Sequence, residues 1–182
     1  ISFEGNSALK YLEEEAVSDD IDYYNQQHKH DNYLIIFVIK GKVKGFVGSS
    51  LKEYCSGDIV VIGRNVPHYF ILNEETNAEG KEINEIEILY FQQHLFPARM
   101  TDIARSQQGI LLQNKTMFGK IRKMLYRIDD VEGIQKLIEL YQILDTLGQA
   151  TDYAIISDEV YNSENTITTN LSTLQRIYKY LY

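Results

Sequence analysis

Apolar residues recur at two different periods along this chain, and the change of period divides it into two parts. From residue 33 to residue 91 the apolar runs are short and are separated by turns, most of which contain glycine. Strand-length apolar runs between such turns are typical of antiparallel β-sheets, and close spacing of the strands predicts a sandwich or a barrel. The predicted strands are Tyr33–Lys40, Val43–Val47, Leu51–Cys55, Ile59–Ile62, Tyr69–Leu72 and Ile83–Phe91.

After Phe96 the apolar residues take the spacing of amphipathic helices. Asn114 is placed to cap a helix from Lys115 to about Ile128, and the next stripe predicts a helix from Val131 to about Ala150. The remaining predicted elements are a short helix at 97–105, an extended piece at 109–112, and a helix after the capping box formed by Ser172 and Gln175.

Strands followed by helices are the pattern of an α+β chain. We therefore divide the sequence into a strand-rich part, residues 1–97, and a helical part, residues 98–182. The apolar pattern still continues at Tyr182, so we expect the sequence to be a fragment of a longer protein.

Composition narrows the classes of function. Hydrophobic residues make up 44% of the 182, which supports a packed core, and the net charge is -8. Binding to duplex DNA requires clustered Lys and Arg, and here basic residues concentrate only on the predicted 115–128 helix. We therefore expect no DNA binding by this chain alone.

Cysteine content and hydropathy bear on location. Cys55 is the only cysteine, so no internal disulfide can form, which favours a reducing, cytoplasmic compartment. No apolar run approaches the roughly 20 residues that span a bilayer, so we expect no membrane segment.

Three of the four histidines border the predicted strands. His28 and His30 lie two residues apart, so they share one face with Tyr24 if the segment is extended. His68 follows Pro67 at the start of a later strand. Imidazoles that converge inside a barrel bind Zn, Fe, Mn or Ni. Three interpretations stay open: a metal site, the lining of a small-molecule pocket, and hydrogen bonding to buried neighbours alone.

The histidine spacing resembles the two motifs of cupin barrels. His28-x-His30 followed by Gly41 tracks the first motif, and Gly57 followed by His68 tracks the second. Four positions differ from the cupin pattern, two of which are Asn65, where the second motif has a glycine, and Leu72, where it has an asparagine. Leu34 stands where the metal-binding set has its glutamate, and Gly63 stands where the second motif has a proline.

The block from Gly57-Asp58 to Pro67-His68, followed by two helices, also resembles the N-terminal sensor domain of AraC-type transcription regulators. This resemblance implies a cupin-like β-barrel (double-stranded β-helix or jelly roll) over residues 1–97 and an α-helical dimerisation subdomain over 98–182. It further implies a small-molecule effector, such as a sugar or metabolite, and a homodimer. DNA would be bound only by a helix-turn-helix domain beyond Tyr182. No enzymatic activity and no cofactor are expected.

Candidate site residues follow from the histidine face and the aromatic side chains of the strands. In the alternative, a cupin metalloenzyme such as a dioxygenase or isomerase, the metal ligands would be His28, His30 and His68. The helix 131–150 is the expected dimer element, through Leu137, Tyr141 and Leu144. The predicted effector-binding residues are Tyr24, His28, His30, Phe37, Phe46, His68 and Tyr90.

Overall fold

The structure is a computed structural model that describes residues 9–10, 26–71, 84–91 and 108–157. These residues form β-strands followed, after residue 112, by two α-helices and a last short strand. In chain order the elements are β1 (Leu9–Lys10), β2 (Tyr33–Lys40), β3 (Lys42–Val47), β4 (Ser50–Cys55), β5 (Ile59–Ile62), β6 (His68–Ile71), β7 (Glu85–Phe91), β8 (Gly109–Leu112), α1 (Lys115–Asp129), α2 (Ile134–Gly148) and β9 (Ala154–Ile155).

The strands form two sheets. The larger has the order β1-β7-β2-β5-β8-β9, and the smaller has the order β4-β3-β6. The β1–β7 pair is parallel, and the other pairs are antiparallel. β2 lies between β7 and β5 and is covered on both faces, which explains why Tyr33–Lys40 is apolar at nearly every position.

Alternate residues of the large sheet face two separate cores. On one face Ile35 and Phe37 pack with the helices, and we call this the helix-side core. On the other face Leu34 and Ile36 pack with residues of the small sheet, and we call this the inter-sheet core. The molecule therefore stacks three layers: small sheet, large sheet and helix pair.

The small sheet contributes aromatic rings to the inter-sheet core. Gly45 on β3 pairs with Phe70 on β6, and a Cβ atom at Gly45 would collide with the Phe70 ring. The glycine thus gives the Phe70 ring room to pack between the sheets, where its centroid lies 5.9 Å from that of Tyr54. Two pairs further along these strands Val47 pairs with His68, so the histidine points to the same face as Phe70.

The two predicted helices that fall within the described residues are present. Asn114 caps α1 as predicted, because its side-chain oxygen accepts a hydrogen bond from the Met117 backbone N–H at 2.9 Å. α2 begins at Ile134 rather than at Val131, because Gly133 takes a positive φ of 56° that an α-helix does not allow. The sequence reading did not predict β9, whose two residues are exposed.

The α+β class is confirmed: mostly antiparallel sheets are combined with two helices. The described strands face each other as two sheets and show no closed barrel. β8 and β9 join the large sheet although they follow residue 97, so this sheet draws strands from both predicted parts. Tyr24, the 97–105 helix and the helix after Ser172 lie outside the described residues. Neither α1 nor α2 has the length and apolar character required to cross a bilayer.

Candidate metal centre

The backbone places the three histidines side by side. His28 and His68 form an antiparallel bridge in which each N–H donates to the other's carbonyl oxygen, at 3.0 and 2.9 Å. Further along, the Asn65 N–H donates to the His30 carbonyl at 2.9 Å. Directly paired residues point to the same side, and so do residues two apart on an extended strand. The three imidazoles therefore share one face.

The turn between β5 and β6 holds this arrangement in place. Asn65 takes a positive φ of 60°, a conformation that asparagine tolerates better than most residues. Arg64 donates from Nε to the Asp31 carboxylate at 2.9 Å, and Asn65 donates to the same oxygen at 3.3 Å. The turn thereby fixes the residue that follows His30. Because its carboxylate is exposed and bound to Arg64, Asp31 does not serve as a fourth ligand at the histidines.

The three rings lie close enough to bind one ion. Ring centroids are 4.4 Å apart for His28 and His68, 4.9 Å for His30 and His68, and 5.9 Å for His28 and His30. One nitrogen from each ring lies within 4.8 Å of the other two. Two nitrogens bound to one tetrahedral zinc ion at bond lengths of about 2.1 Å lie about 3.4 Å apart. Nitrogens at the 4.8 Å limit would therefore have to approach each other by about 1.4 Å to bind one zinc ion.

Hydrogen bonds fix which nitrogen of each ring faces the cluster. In His28, His30 and His68 alike, Nδ1 bonds a backbone carbonyl. The acceptors, in that order, are the carbonyl oxygens of Gln26, Asn32 and Val66, at 2.8, 2.9 and 2.8 Å. Since a carbonyl oxygen only accepts, each Nδ1 carries the proton and each Nε2 keeps its lone pair. This is the tautomer that a metal-binding imidazole requires.

Burial keeps the rings neutral. Loss of solvent lowers the pKa of His28, lowers that of His30 to about 4, and holds that of His68 well below its usual range. Repulsion from the neighbouring imidazoles adds to the depression at His30 and His68. The Nε2 atoms of these two residues are buried and make no hydrogen bond within the described part of the chain. Two buried acceptors without a donor fit a bound cation.

Among the described residues, aromatic and aliphatic side chains border the cluster. The Tyr90 ring meets His30 edge-on at 5.2 Å, and the Phe70 ring lies 6.4 Å from that of His68. Leu34, which stands at the cupin glutamate position, is fully buried and pairs with Tyr90 on the same face of the sheet. The candidate metal-binding cluster that the described residues form therefore consists of histidines and holds no carboxylate.

Two predicted effector-binding residues lie elsewhere. Phe37 faces the helix-side core, on the opposite face of the large sheet from the histidines. Phe46 pairs with Tyr69, whose side chain points away from the His68 face, and the two rings stack at 5.6 Å. Neither ring can line the cluster, because successive side chains of a strand point to opposite faces and both rings lie on the face away from the histidines. Tyr90 does lie beside His30, and Tyr24 is outside the described residues.

The predicted dimer residues have three different environments. Leu144 is fully buried in the helix-side core, so it is not available to a partner. Leu137 is half-buried, and Tyr141 is 41% exposed. The exposed apolar residues of α2 are instead Ile134, Ile138 and Tyr141, which follow one another at helical spacing.

Sequence reasoning missed the residues that support the cluster. Asp31, Arg64 and Asn65 join two segments that are distant in the chain, and local sequence carries no signal for such a contact. Phe70 had a usable signal, since it lies two residues after His68 on a strand and so faces the same side.

No protein-family model and no curated protein matches this chain at a significant level. The interpretation of the site therefore depends on the geometry of its own residues.

Proposed function

We propose that this protein is a metal-dependent small-molecule-binding domain, in which His28, His30 and His68 bind one divalent transition-metal ion. The observation that carries the proposal is the convergence of three neutral imidazoles whose Nε2 lone pairs face one another. Three protein ligands with a fourth position open to water or a small molecule are the composition of catalytic zinc sites, and the same open position can bind a ligand. Imidazole ligands also suit copper, nickel and iron, and zinc is the first candidate.

Binding is favoured over catalysis. A metal-assisted reaction in which a side chain moves the proton needs a general acid or base beside the ion. All three histidines serve as ligands, and the described residues place no carboxylate at the cluster. The iron site of the dioxygenase alternative needs one carboxylate with two histidines, and Leu34 occupies the corresponding position.

We also propose a role for this domain in a longer protein: the effector-sensing and dimerisation part of an AraC-type transcription regulator. The specific support is the second apolar face of α2, with Ile134 73% exposed and Ile138 and Tyr141 each 41% exposed. A cupin-like barrel, a cytoplasmic location and DNA binding through a further domain all belong to this second proposal.

The metal proposal is tested by metal analysis and calorimetry. Protein purified without chelator is analysed for bound metal, then stripped and titrated with zinc. We expect binding of one ion per chain. Structural zinc sites bind with about 10–16 kcal/mol over four ligands, so losing one ligand is expected to weaken binding roughly 100-fold.

The variants His30→Asn and His68→Asn remove Nε2 while keeping a donor near the position of Nδ1, so the hydrogen bonds to Asn32 and Val66 can persist. Lys29→Gln is the matched control, because Lys29 lies between the ligands and is exposed. Equal zinc affinity in all three variants would contradict the proposal.

A further inference from the structure

The charge balance of the cluster points to the class of small molecule that it binds. Three imidazoles whose Nδ1 atoms donate to carbonyls contribute no charge, so a divalent ion keeps its full charge of two. Transfer of an ion from water to an apolar site is costly unless an opposite charge accompanies it. The walls formed by Leu34, Phe70 and Tyr90 offer no such charge.

The carboxylates of the described residues near the cluster are bound to other groups or face away from the histidines. Asp31 is bound to Arg64. Glu87 lies between Ile86 and Ile88 on β7, and since those two face the inter-sheet core, Glu87 faces the opposite side of the sheet. Asp58 lies immediately before β5, whereas Ile62, which pairs with Leu34 beside the cluster, lies at the other end of that strand. The Asp58 carboxylate accepts hydrogen bonds from the Cys55 backbone N–H and the Gln113 side chain.

We infer that the three-histidine site binds, together with its metal ion, a small organic acid through the carboxylate group. This inference rests on the metal-binding function proposed above and names the ligand class of that site. A carboxylate oxygen is an ordinary zinc ligand, and one monoanion halves the net charge of the site. The apolar walls then contact the hydrocarbon part of the acid, whereas a neutral sugar would leave the charge uncompensated.

The test uses cobalt(II), which replaces zinc and gives a visible absorption spectrum that depends on its ligands. Cobalt-loaded protein is titrated with acetate and benzoate, and separately with the neutral isosteres acetamide and benzamide. We expect saturable spectral changes with both acids and a preference for acid over amide of at least about tenfold. Benzoate is expected to bind more tightly than acetate, because its ring adds apolar contact.

Two variants at Leu34 sharpen the test. Leu34→Glu places a carboxylate on the strand that faces the cluster, so it should retain cobalt and lose the response to added acids. Leu34→Gln has nearly the same shape without the charge and should keep that response. If either buried substitution prevents folding, the acid and amide titrations of the wild-type protein still decide the question.

The outcomes separate the two proposals. Absence of a cobalt spectrum would overturn the metal-binding function, and the ligand class with it. A cobalt spectrum that ignores acids, or that responds equally to acids and amides, would overturn the ligand class alone and leave metal binding intact.

Discussion

The two faces of the large sheet are both largely apolar, but the polar groups buried on them differ in whether they have hydrogen-bond partners. In the layer of α1 and α2, the buried Glu139 carboxylate accepts a hydrogen bond from Arg127 at 3.2 Å, so its charge is compensated within the chain. In the inter-sheet core the Nε2 atoms of His30 and His68 and the hydroxyl of Tyr54 are buried without a partner in the described residues.

Each buried polar group without a partner costs about 1–3 kcal/mol. An apolar side chain of similar size would avoid that cost, as Ile143 and Leu144 do in the helix-side core. The difference indicates that the helix-side core serves stability, whereas the end of the inter-sheet core that carries the histidines serves binding. Substitutions on each face can separate the two roles.

The largest expected effect comes from the helix-side core. Ile143 is fully buried there, and Ile143→Ala should lower the free energy of unfolding by about 2–5 kcal/mol through lost contacts and a cavity. Urea unfolding of metal-free protein measures this change. Zinc affinity, measured by calorimetry on the folded variant, should stay the same. A parallel loss of zinc affinity would show that the two faces are coupled and would break the comparison.

The next effect is the pH dependence of stability that the histidines of the inter-sheet core produce. The pKa of His30 is about 4 in the folded state and 6.5 in the unfolded state, so between these values the unfolded chain binds more protons. Stability of the metal-free protein should therefore fall as pH falls from 6.5 towards 4, by about 3 kcal/mol from His30 alone. His28 and His68 act in the same direction. Above pH 6.5 these groups contribute no pH dependence.

Urea unfolding at pH 7 and pH 4.5 measures this loss. Carboxylates also titrate in the range, so the informative quantity is the difference between wild type and His30→Asn, which cannot titrate at this position. An identical pH dependence in the two proteins would show that His30 is not held neutral by burial.

A third, smaller effect separates ligand binding from folding. Zinc at about 100 times its dissociation constant should raise the free energy of unfolding by about 2.7 kcal/mol in the wild type. His68→Asn should remove most of this gain, and Ile143→Ala should keep it despite the lower starting stability. Thermal unfolding with and without zinc measures both. Zinc stabilisation that persists in His68→Asn would place the ion elsewhere on the protein.

The sequence predicted the elements far better than their pairing. Apolar runs and glycine turns mark β2, β5 and β8 closely, because strand period and turn chemistry are local properties. The shared face of His28 and His30 is local as well. The convergence of His68 with them depends on a bridge between segments far apart in the chain, and no local pattern encodes such a register.

The same limit applies to the faces that single side chains take. Phe37 and Phe46 are strand aromatics, and the face of a strand residue relative to the histidines depends on a register that local sequence does not encode. Leu144 belongs to the apolar stripe of α2, and such a stripe does not reveal which of its members contact the chain's own sheet. The start of α2, by contrast, was open to local prediction. Gly133 has a positive φ, which favours glycine, and a glycine near a predicted helix end indicates a boundary.

The smallest expected effect on stability lies on the outer face of α2. Tyr141 is 41% exposed, so Tyr141→Ser should change the free energy of unfolding by no more than about 0.5 kcal/mol, whereas Leu144→Ala should cost several times as much. If Ile134, Ile138 and Tyr141 form a homodimer seam, Tyr141→Ser should nevertheless weaken self-association. Sedimentation equilibrium over a range of concentrations measures that association directly. A wild-type chain that stays monomeric would remove the homodimer from the proposal, while the histidine site, which faces the opposite side of the large sheet from the helices, would be unaffected.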